Sequence, residues 1–415
     1  MSNWQKVKIG DFLFERKGRY KPNDEQIVNL PRIEKIDFSG NFHIGNKDSK
    51  TDMILIKDGD LVISGINVAK GAIGIYSGED VTATIHYSSY TFDSNKINVE
   101  YFKRFLKSSE FIELLNEQVK GGIKTEIKPK HILPLEIQLP DINTQAQIVQ
   151  HFENVEDDIA DVTKEVLKQE SLLKKLKQTI LQEAIEGKLT AKWRAKNPDI
   201  GTAKELLDQI KTEKEQLVKD KKIKASKLLA PINEDEIPFD IPPSWEWCKF
   251  GEIIYENPRN GYSPKTVDYK TEIKTLKLGA ITQGYFDTTQ IKYLDISIEK
   301  DSFLWLKKGD VLIQRSNSLE HVGMAGIYNL KDTNYIYPDL IMKCQVVQPV
   351  INYFIHKYLV SNFTREYFRN NASGAQQSMP KINQGTVTNL LVPLPPTEEQ
   401  KEIVATIEKL FTLCN

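Results

Sequence analysis

One stretch limits what the whole chain can fold into. From Ile148 to Gly187 apolar residues recur every three or four positions: Ile148, Phe152, Val155, Ile159, Val162, Val166, Leu173, Leu176 and Ile180. This is a coiled-coil seam, sustained beyond the three or four heptads that mark one. Gln169 holds the slot between Val166 and Leu173 where an apolar residue belongs; a lone polar seam position weakens pairing and fixes register. Gly187, after Ala184 and Ile185, suits the left-handed position that ends a helix. At ~1.5 Å per residue the helix is roughly 60 Å long. A seam of that length needs a partner helix, in this chain or in another.

The 415 residues suffice for roughly two or three domains. With 40% hydrophobic and 27% charged residues, the chain fits globular protein plus exposed helix. A net charge of −1 gives no global sign of nucleic acid, so any basic surface is local. Cys248, Cys344 and Cys414 are far apart and odd in number, which predicts neither a disulfide framework nor a zinc site and points to a reducing compartment. No apolar run approaches the ~20 residues of a membrane span. Met1 to Trp4 lacks signal-peptide character, so the expected location is the cytoplasm.

The order of motifs repeats. Residues 4–140 read as short strands with a helix near the end. Trp4 opens the block; Met53–Ile56 and Leu61–Ile63 are β-rich runs around the turn Lys57-Asp58-Gly59-Asp60; the Gly-rich Gly65–Tyr76 follows; residues 100–118 have helical spacing; a polar loop from Lys120 precedes Leu135–Pro140. The stretch from Trp247 answers the opening, Gly309-Asp310 answers Gly59-Asp60, and Gly326-Ile327-Tyr328 answers Gly74-Ile75-Tyr76. Gly374–Ile382 answers the polar loop, and Pro395 stands 255 residues after Pro140. Thr397-Glu398-Glu399-Gln400 is a capping box. Shifted by the same interval, the first seam becomes Ile403, Ile407, Leu410 and Cys414. The chain is two copies of one unit, a mixed β/α domain followed by a helix, and the two helices are expected to pair. The second helix has only Thr397–Asn415, so the rest of the first seam calls for another protein or a longer chain. Between the copies, Ala203–Leu229 is rich in Lys and Glu with Leu206, Leu207, Ile210 and Leu217 at helical spacing, which reads as a solvated helix; a Pro-rich strap runs from Pro231 to Trp247.

These segments resemble the specificity subunits of type I restriction–modification systems over essentially the whole chain. The resemblance rests on Leu176–Thr190, Pro238–Trp247 and Leu394–Val404, with Leu139–Val149 a looser copy of the last. It implies an α+β fold: two homologous mixed β/α target-recognition domains separated by long helices that form an antiparallel coiled coil, with pseudo-two-fold symmetry. The expected divisions are a first recognition domain at 1–141, the long helix at 142–187, a charged, Pro-rich connector at 188–243, a second recognition domain at 244–396 and a shortened second helix at 397–415. It also implies a non-catalytic subunit that binds double-stranded DNA and scaffolds two methyltransferase subunits and motor-nuclease subunits. S-adenosylmethionine, ATP and Mg are expected in those partners and no cofactor in this chain.

DNA reading needs cations for phosphates and side chains for base edges. Candidates lie in loops that repeat in position and differ in sequence. After the strand ending at Ile63 stand Ser64, Asn67 and Lys70, answered by Gln314, Arg315, Ser316, Asn317, Ser318 and His321. The polar loop offers Lys120, Lys124 and Lys128 against Gln376, Gln377 and Lys381. Near each domain's start, Arg16, Lys17, Arg19 and Tyr20 match Arg259, Asn260 and Tyr262. Arg suits guanine, and Asn or Gln suits adenine. Unlike loops on a like framework predict an asymmetric site. The plainer alternative makes each such residue a turn former or solvent-facing loop residue.

Catalytic equipment is missing from the sequence. There is no Asn/Asp-Pro-Pro-Tyr/Phe methyltransferase motif, no Walker loop and no H-E-x-x-H. The triplets Glu126-Ile127-Lys128 and Glu272-Ile273-Lys274 lack an upstream Pro-Asp partner and read as chance. Two other functions stay open: a coiled-coil scaffold with protein-binding β domains, and the recognition subunit of another paired nuclease–methyltransferase. If the helix is a ruler, half-sites about one DNA turn apart, roughly 34 Å, fall within its span. Deleting one heptad within Val155–Leu176 is then expected to change the spacer between half-sites and leave the half-sites themselves unchanged, as read by mapping adenine methylation in a host.

Overall fold

The computed structural model describes residues 4–45, 49–66, 72–118, 126–226, 228–316, 318–331, 334–374 and 379–414. By packing, the chain divides into Met1–Val166 and Leu167–Asn415, each taken here by itself.

In the first unit, Gln5–Lys8 pairs antiparallel with Glu136–Leu139, Gln5 opposite Leu139. One four-stranded sheet runs in the order Leu13–Glu15, Tyr87–Phe92, Leu61–Ser64, Ile73–Ile75. A second runs Phe42–Gly45, Arg32–Ile36, Val81–Thr84, Met53–Ile56, with its two central strands parallel. Helices Val99–Leu106 and Ser109–Gln118 close the unit, and Phe12, Phe102 and Phe111 lie in its core.

The second unit repeats this plan. Glu246–Lys249 pairs with Leu391–Leu394, Glu246 opposite Leu394. The four-stranded sheet returns in the same order, Arg259–Asn260, Ile341–Cys344, Val311–Gln314, Ala325–Ile327. The other sheet keeps three strands, Ile291–Leu294, Ile273–Leu276 and Tyr335–Ile336, again with a parallel pair. Strand pairing matches Trp4 with Trp245, one turn of strand before the Trp247 that the sequence suggests. The Gly-Asp turns do the same work twice. Gly59 N–H donates to Tyr76 O (2.9 Å) and Tyr76 N–H to Asp60 O (2.9 Å); Gly309 N–H donates to Tyr328 O (2.8 Å) and Tyr328 N–H to Asp310 O (2.9 Å). Both glycines are left-handed, φ 77° and 96°, which a side chain resists. The first turn does not close a hairpin: Met53–Ile56 and Leu61–Ser64 belong to different sheets, so it passes the chain from one to the other. Gly74 lies within Ile73–Ile75, where the Gly40 carbonyl and the Phe42 ring fill the space of a Cβ.

The long helix is continuous over Ile142–Ile185, 44 residues. It ends as the sequence predicts: Gly187 has φ 72°, its N–H donates to Ala184 O (3.2 Å) and Lys188 N–H to Glu183 O (2.9 Å), a Schellman stop. The seam is buried only at its ends. Val149 packs into the first core, and Ile180, Leu181, Ala184 and Ile185 into the second. Phe152, Val155, Ile159, Val162, Val166, Leu173 and Leu176 are 39–64% exposed. The second helix, Thr397–Thr412, runs antiparallel to the last part of the long one: Lys177 lies over the Phe411 ring (5.7 Å) while Thr190 bonds Glu399 (2.6 Å). Ile403 and Ile407 are buried there. The expected pairing therefore closes near residues 177–190, and the middle of the seam faces solvent in this chain.

The described residues of 188–243 belong to the second unit. The helix Ala203–Lys219 has a capping box at Thr202 and Glu205 and buries Ala203, Leu206 and Ile210, with Glu213 and Lys214 turned to the unit and its other Lys and Glu exposed. The carboxylate of Glu399, with no exposure, ties these parts together. It accepts from Trp245 Nε1 (2.8 Å) and Thr190 Oγ1 (2.6 Å), with Arg194 Nη1 at 3.5 Å. Removing one partner of a buried charged group costs about 3–5 kcal/mol. Glu399→Ala is expected to lower the urea stability of the second unit by about 3 kcal/mol and Glu399→Gln by less, followed by tryptophan fluorescence; a loss below about 1 kcal/mol for the alanine variant would contradict this role.

Candidate nucleic-acid interface

The two loops named separately from sequence meet in each unit, through the same backbone bond. In the first, Gly65 follows the strand Leu61–Ser64; its N–H donates to His86 O (2.8 Å) and its carbonyl accepts from Ile127 N–H (2.8 Å). A Cβ at Gly65 would sit 2.6 Å from Ile127 O, so in this unit the segments approach more closely than a side chain at this position would allow. In the second, Arg315 follows Val311–Gln314; its N–H donates to Leu340 O (2.8 Å) and its carbonyl accepts from Ile382 N–H (2.9 Å). Arg315 thus occupies the place of Gly65, and Ile382 that of Ile127.

Around the first junction, His86 Nδ1 lies 2.9 Å from Glu126 Oε1, and Lys128 Nζ 3.4 Å from Glu126 Oε2. Burial pushes the Glu126 carboxyl up, but hydrogen bonds from His86 and Lys128 outweigh it and hold the group below its ordinary value. The Glu126–Lys128 triplet is therefore an ion pair. Lys128 and Ile66 are exposed beside it. Around the second, Ser316 Oγ donates to Pro380 O (3.2 Å), and Lys381 exchanges backbone bonds with Ser373 (2.9 and 2.8 Å) while its side chain is exposed. Arg315 is half-buried, and Ser318 Oγ bonds His321 Nδ1 (2.8 Å). Buried Arg365 donates to Val322 O (2.7 Å) and Glu320 O (2.8 Å), which fixes the base of this loop. Desolvation lowers its pKa to about 10, so it stays charged at neutral pH.

Four candidates belong to the interior instead. Arg16 makes a two-point bond to buried Asp60, Nε to Oδ2 at 2.6 Å and Nη2 to Oδ1 at 2.7 Å. Gln314 is buried and its amide donates to Leu278 O and Thr282 Oγ1, both at 2.8 Å. Ser64 and Ser316 are buried at strand ends. The structure speaks against base contact by these four: Arg16, Gln314 and Ser316 are engaged with internal polar groups, and Ser64 is buried. Lys17 and Arg19 are exposed, and Tyr20 is half-buried with its backbone paired to Met53. Arg259 stacks over Phe303 (5.1 Å) and reaches Glu256 (3.1 Å); Asn260 pairs with Met342 in the sheet, and Tyr262 is 52% exposed. Asn67, Lys70, Lys120, Lys124, Asn317, Gln376 and Gln377 lie outside the described residues.

Arg16 and Arg259 hold matching places, opposite Ser89 and Lys343 on the neighbouring strand. In the first unit Arg16 and Ser89 (2.6 Å) serve Asp60; in the second Lys343 (3.5 Å) and Gln345 (2.7 Å) serve Asp310. Lys343 therefore frees Arg259 from the framework. Sequence reading missed Lys343, His86 and Arg365. The repeated buried Asp was a signal that each copy owes it a cation. Among the described residues no cluster of His, Cys, Asp and Glu could hold a metal, and no helix is long and apolar enough to cross a membrane. What the loops offer is exposed cations and hydroxyls on a fixed base, suited to binding a polyanion.

Comparison with known proteins agrees. Residues 242–415 match the family described as Type I restriction modification DNA specificity domain. The chain is similar to the EcoEI type I restriction enzyme specificity subunit of Escherichia coli, 31% identical over 257 residues, 59% of this chain and 41% of that protein. It is also similar to the Escherichia coli EcoAI specificity subunit, 27% identical over 457 aligned positions, 95% of this chain and 75% of the relative. The chain thus spans less than half of the EcoEI relative and three quarters of the EcoAI one. In fold it is similar to a chain from a study of the assembly and conformational transition of the type I R-M system, TM-score 0.62 at 15% identity, covering 99% of this chain and 90% of the other. It also resembles the HsdS subunit of Thermoanaerobacter tengcongensis, TM-score 0.54 at 16% identity with the same coverage. With its duplicated α+β units and this match over the second of them, the chain is similar to the specificity subunits of type I restriction–modification systems.

Proposed function

We propose that this chain is the DNA-recognition subunit of a type I restriction–modification assembly, reading an asymmetric two-part site with one half-site per unit. One observation carries this reading most directly. The two units share sheet order and loop junctions, yet at the junction Gly65 stands in one and Arg315 in the other. A like framework with unlike loop side chains is what two readers of different base sequences require. The exposed seam from Phe152 to Leu176 supports a scaffold role, with methyltransferase subunits covering it and motor-nuclease subunits joining in the full complex. S-adenosylmethionine, ATP and Mg then belong to those partners, and this chain contributes binding without catalysis.

Arg315 is the side chain proposed to read bases in the second unit, and Lys381 the one that holds phosphate. Selection of bound duplexes from a randomised library, with the chain assembled with its methyltransferase partner, is expected to yield a motif with two unlike halves. Losing a two-point Arg–guanine contact costs about 1–3 kcal/mol, so Arg315→Ala should relax one half roughly 10- to 100-fold and leave the other intact. Lys381→Ala should weaken all sequences alike and reduce the salt slope by about 1. Equal loss at both halves from Arg315→Ala would contradict the assignment, and binding without motif or salt dependence would favour the protein-binding scaffold.

A further inference from the structure

The duplication also shows which surface of the first unit is incomplete. In the second unit, the helix Ala203–Lys219 covers the turn that follows the first strand. Lys214 Nζ donates to the carbonyls of Gly251 (3.0 Å) and Glu252 (3.2 Å), Tyr255 donates to Glu213 (3.3 Å), and Ala203 N–H donates to Ser244 O (2.9 Å). Ala203, Leu206 and Ile210 are buried beneath it. Strand pairing maps Gly251, Glu252 and Tyr255 onto Gly10, Asp11 and Phe14. The backgrounds match too: Gly10 faces Leu133 and Gly251 faces Thr388, the same position 255 residues on.

On the first unit this face is a groove of about 1110 Å³, lined by Gly10, Phe14, Asn95, Pro140 and Ile142 among others. Phe14 is 48% exposed, whereas its counterpart Tyr255 lies against a helix. We infer that this groove is a docking site for an amphipathic helix of a partner polypeptide, built on the pattern of Ala203–Lys219. The repeat itself states the occupant's chemistry: a small residue, then aliphatics three and seven positions on, then a lysine at the eleventh. That lysine reaches the Gly10 carbonyl; the Asp11 carbonyl already accepts from Lys96 Nζ of the same unit (3.1 Å), which lines the groove. One difference is specific to this face. Phe14 has no hydroxyl to offer the acid that Glu213 presents to Tyr255, so the partner carries an apolar residue there. The chain's own helix is not the occupant, because its apolar face is buried on the second unit, and the same holds for a second copy.

The test uses the full chain and labelled peptides spanning Thr202–Lys221. Fluorescence anisotropy is expected to show saturable binding of one peptide per chain, several-fold tighter for the Glu213→Leu peptide. Phe14→Asp should weaken binding at least tenfold with the circular dichroism spectrum and melting temperature kept. A photo-crosslinker at peptide position 214 should label Gly10–Phe14. Labelling of Gly251–Tyr255, equal binding of a scrambled peptide, or no saturable binding would each overturn the inference. Concentration-dependent dimers in sedimentation that Phe14→Asp abolishes would also overturn it, in favour of a second copy.

Discussion

A single buried carboxylate holds the second unit together. Leaving an ionised acid in a protein interior costs several kcal/mol unless it is paired and hydrogen-bonded. Glu399 meets that demand with the Trp245 indole N–H, the Thr190 hydroxyl and the Arg194 guanidinium, so that three distant parts of the chain, its own included, meet there. Those parts are the end of the long helix, the Pro-rich strap and the start of the second helix. They are the three segments that carry the family resemblance. What looks in sequence like three separate signatures is one object in space. In the first unit the matching residue is Thr144, whose hydroxyl bonds Asp141 (2.7 Å) at the start of its own helix. The junction is therefore built once, where the long helix arrives.

Much of the framework was legible because it depends on backbone rules that leave marks. The Gly-Asp turns need a left-handed glycine, and the aspartate must then be buried and paired. The long helix shows its period and its stop residue. Gln145 and Gln400 sit at the same place in the repeat, and both are buried with amides donating to Pro140 and Pro395 carbonyls (2.8 Å each). These demands are local in sequence, so the repeat could be found without knowing the fold.

The loop residues were harder, because exposure depends on long-range pairing. Arg16 and Arg259 look alike in sequence and stand in matching places, yet only Arg16 is consumed by the buried aspartate. The difference lies more than seventy residues away, at Ser89 and Lys343. Gln314 looked like an adenine reader and is a core hydrogen bonder, because its strand is buried on both faces. The connector helix looked solvated from its Lys and Glu content. Three small or aliphatic residues suffice to dock it, a signal too short to separate from chance. The seam shows the opposite case: its pattern was plain, but period alone does not say which chain supplies the partner.

The central claim is that the chain holds two versions of one reader. The matching strand registers give clean exchange points, Gln5 with Leu139 and Glu246 with Leu394. Replacing residues 5–139 by 246–394 makes a chain with the second reader in both places. Adenine methylation mapped across a host genome carrying this chimera and the partner subunits is the most direct measurement. The account predicts a site whose two halves have the same base sequence, that of the second half of the natural site. Retention of the natural unlike halves would contradict it.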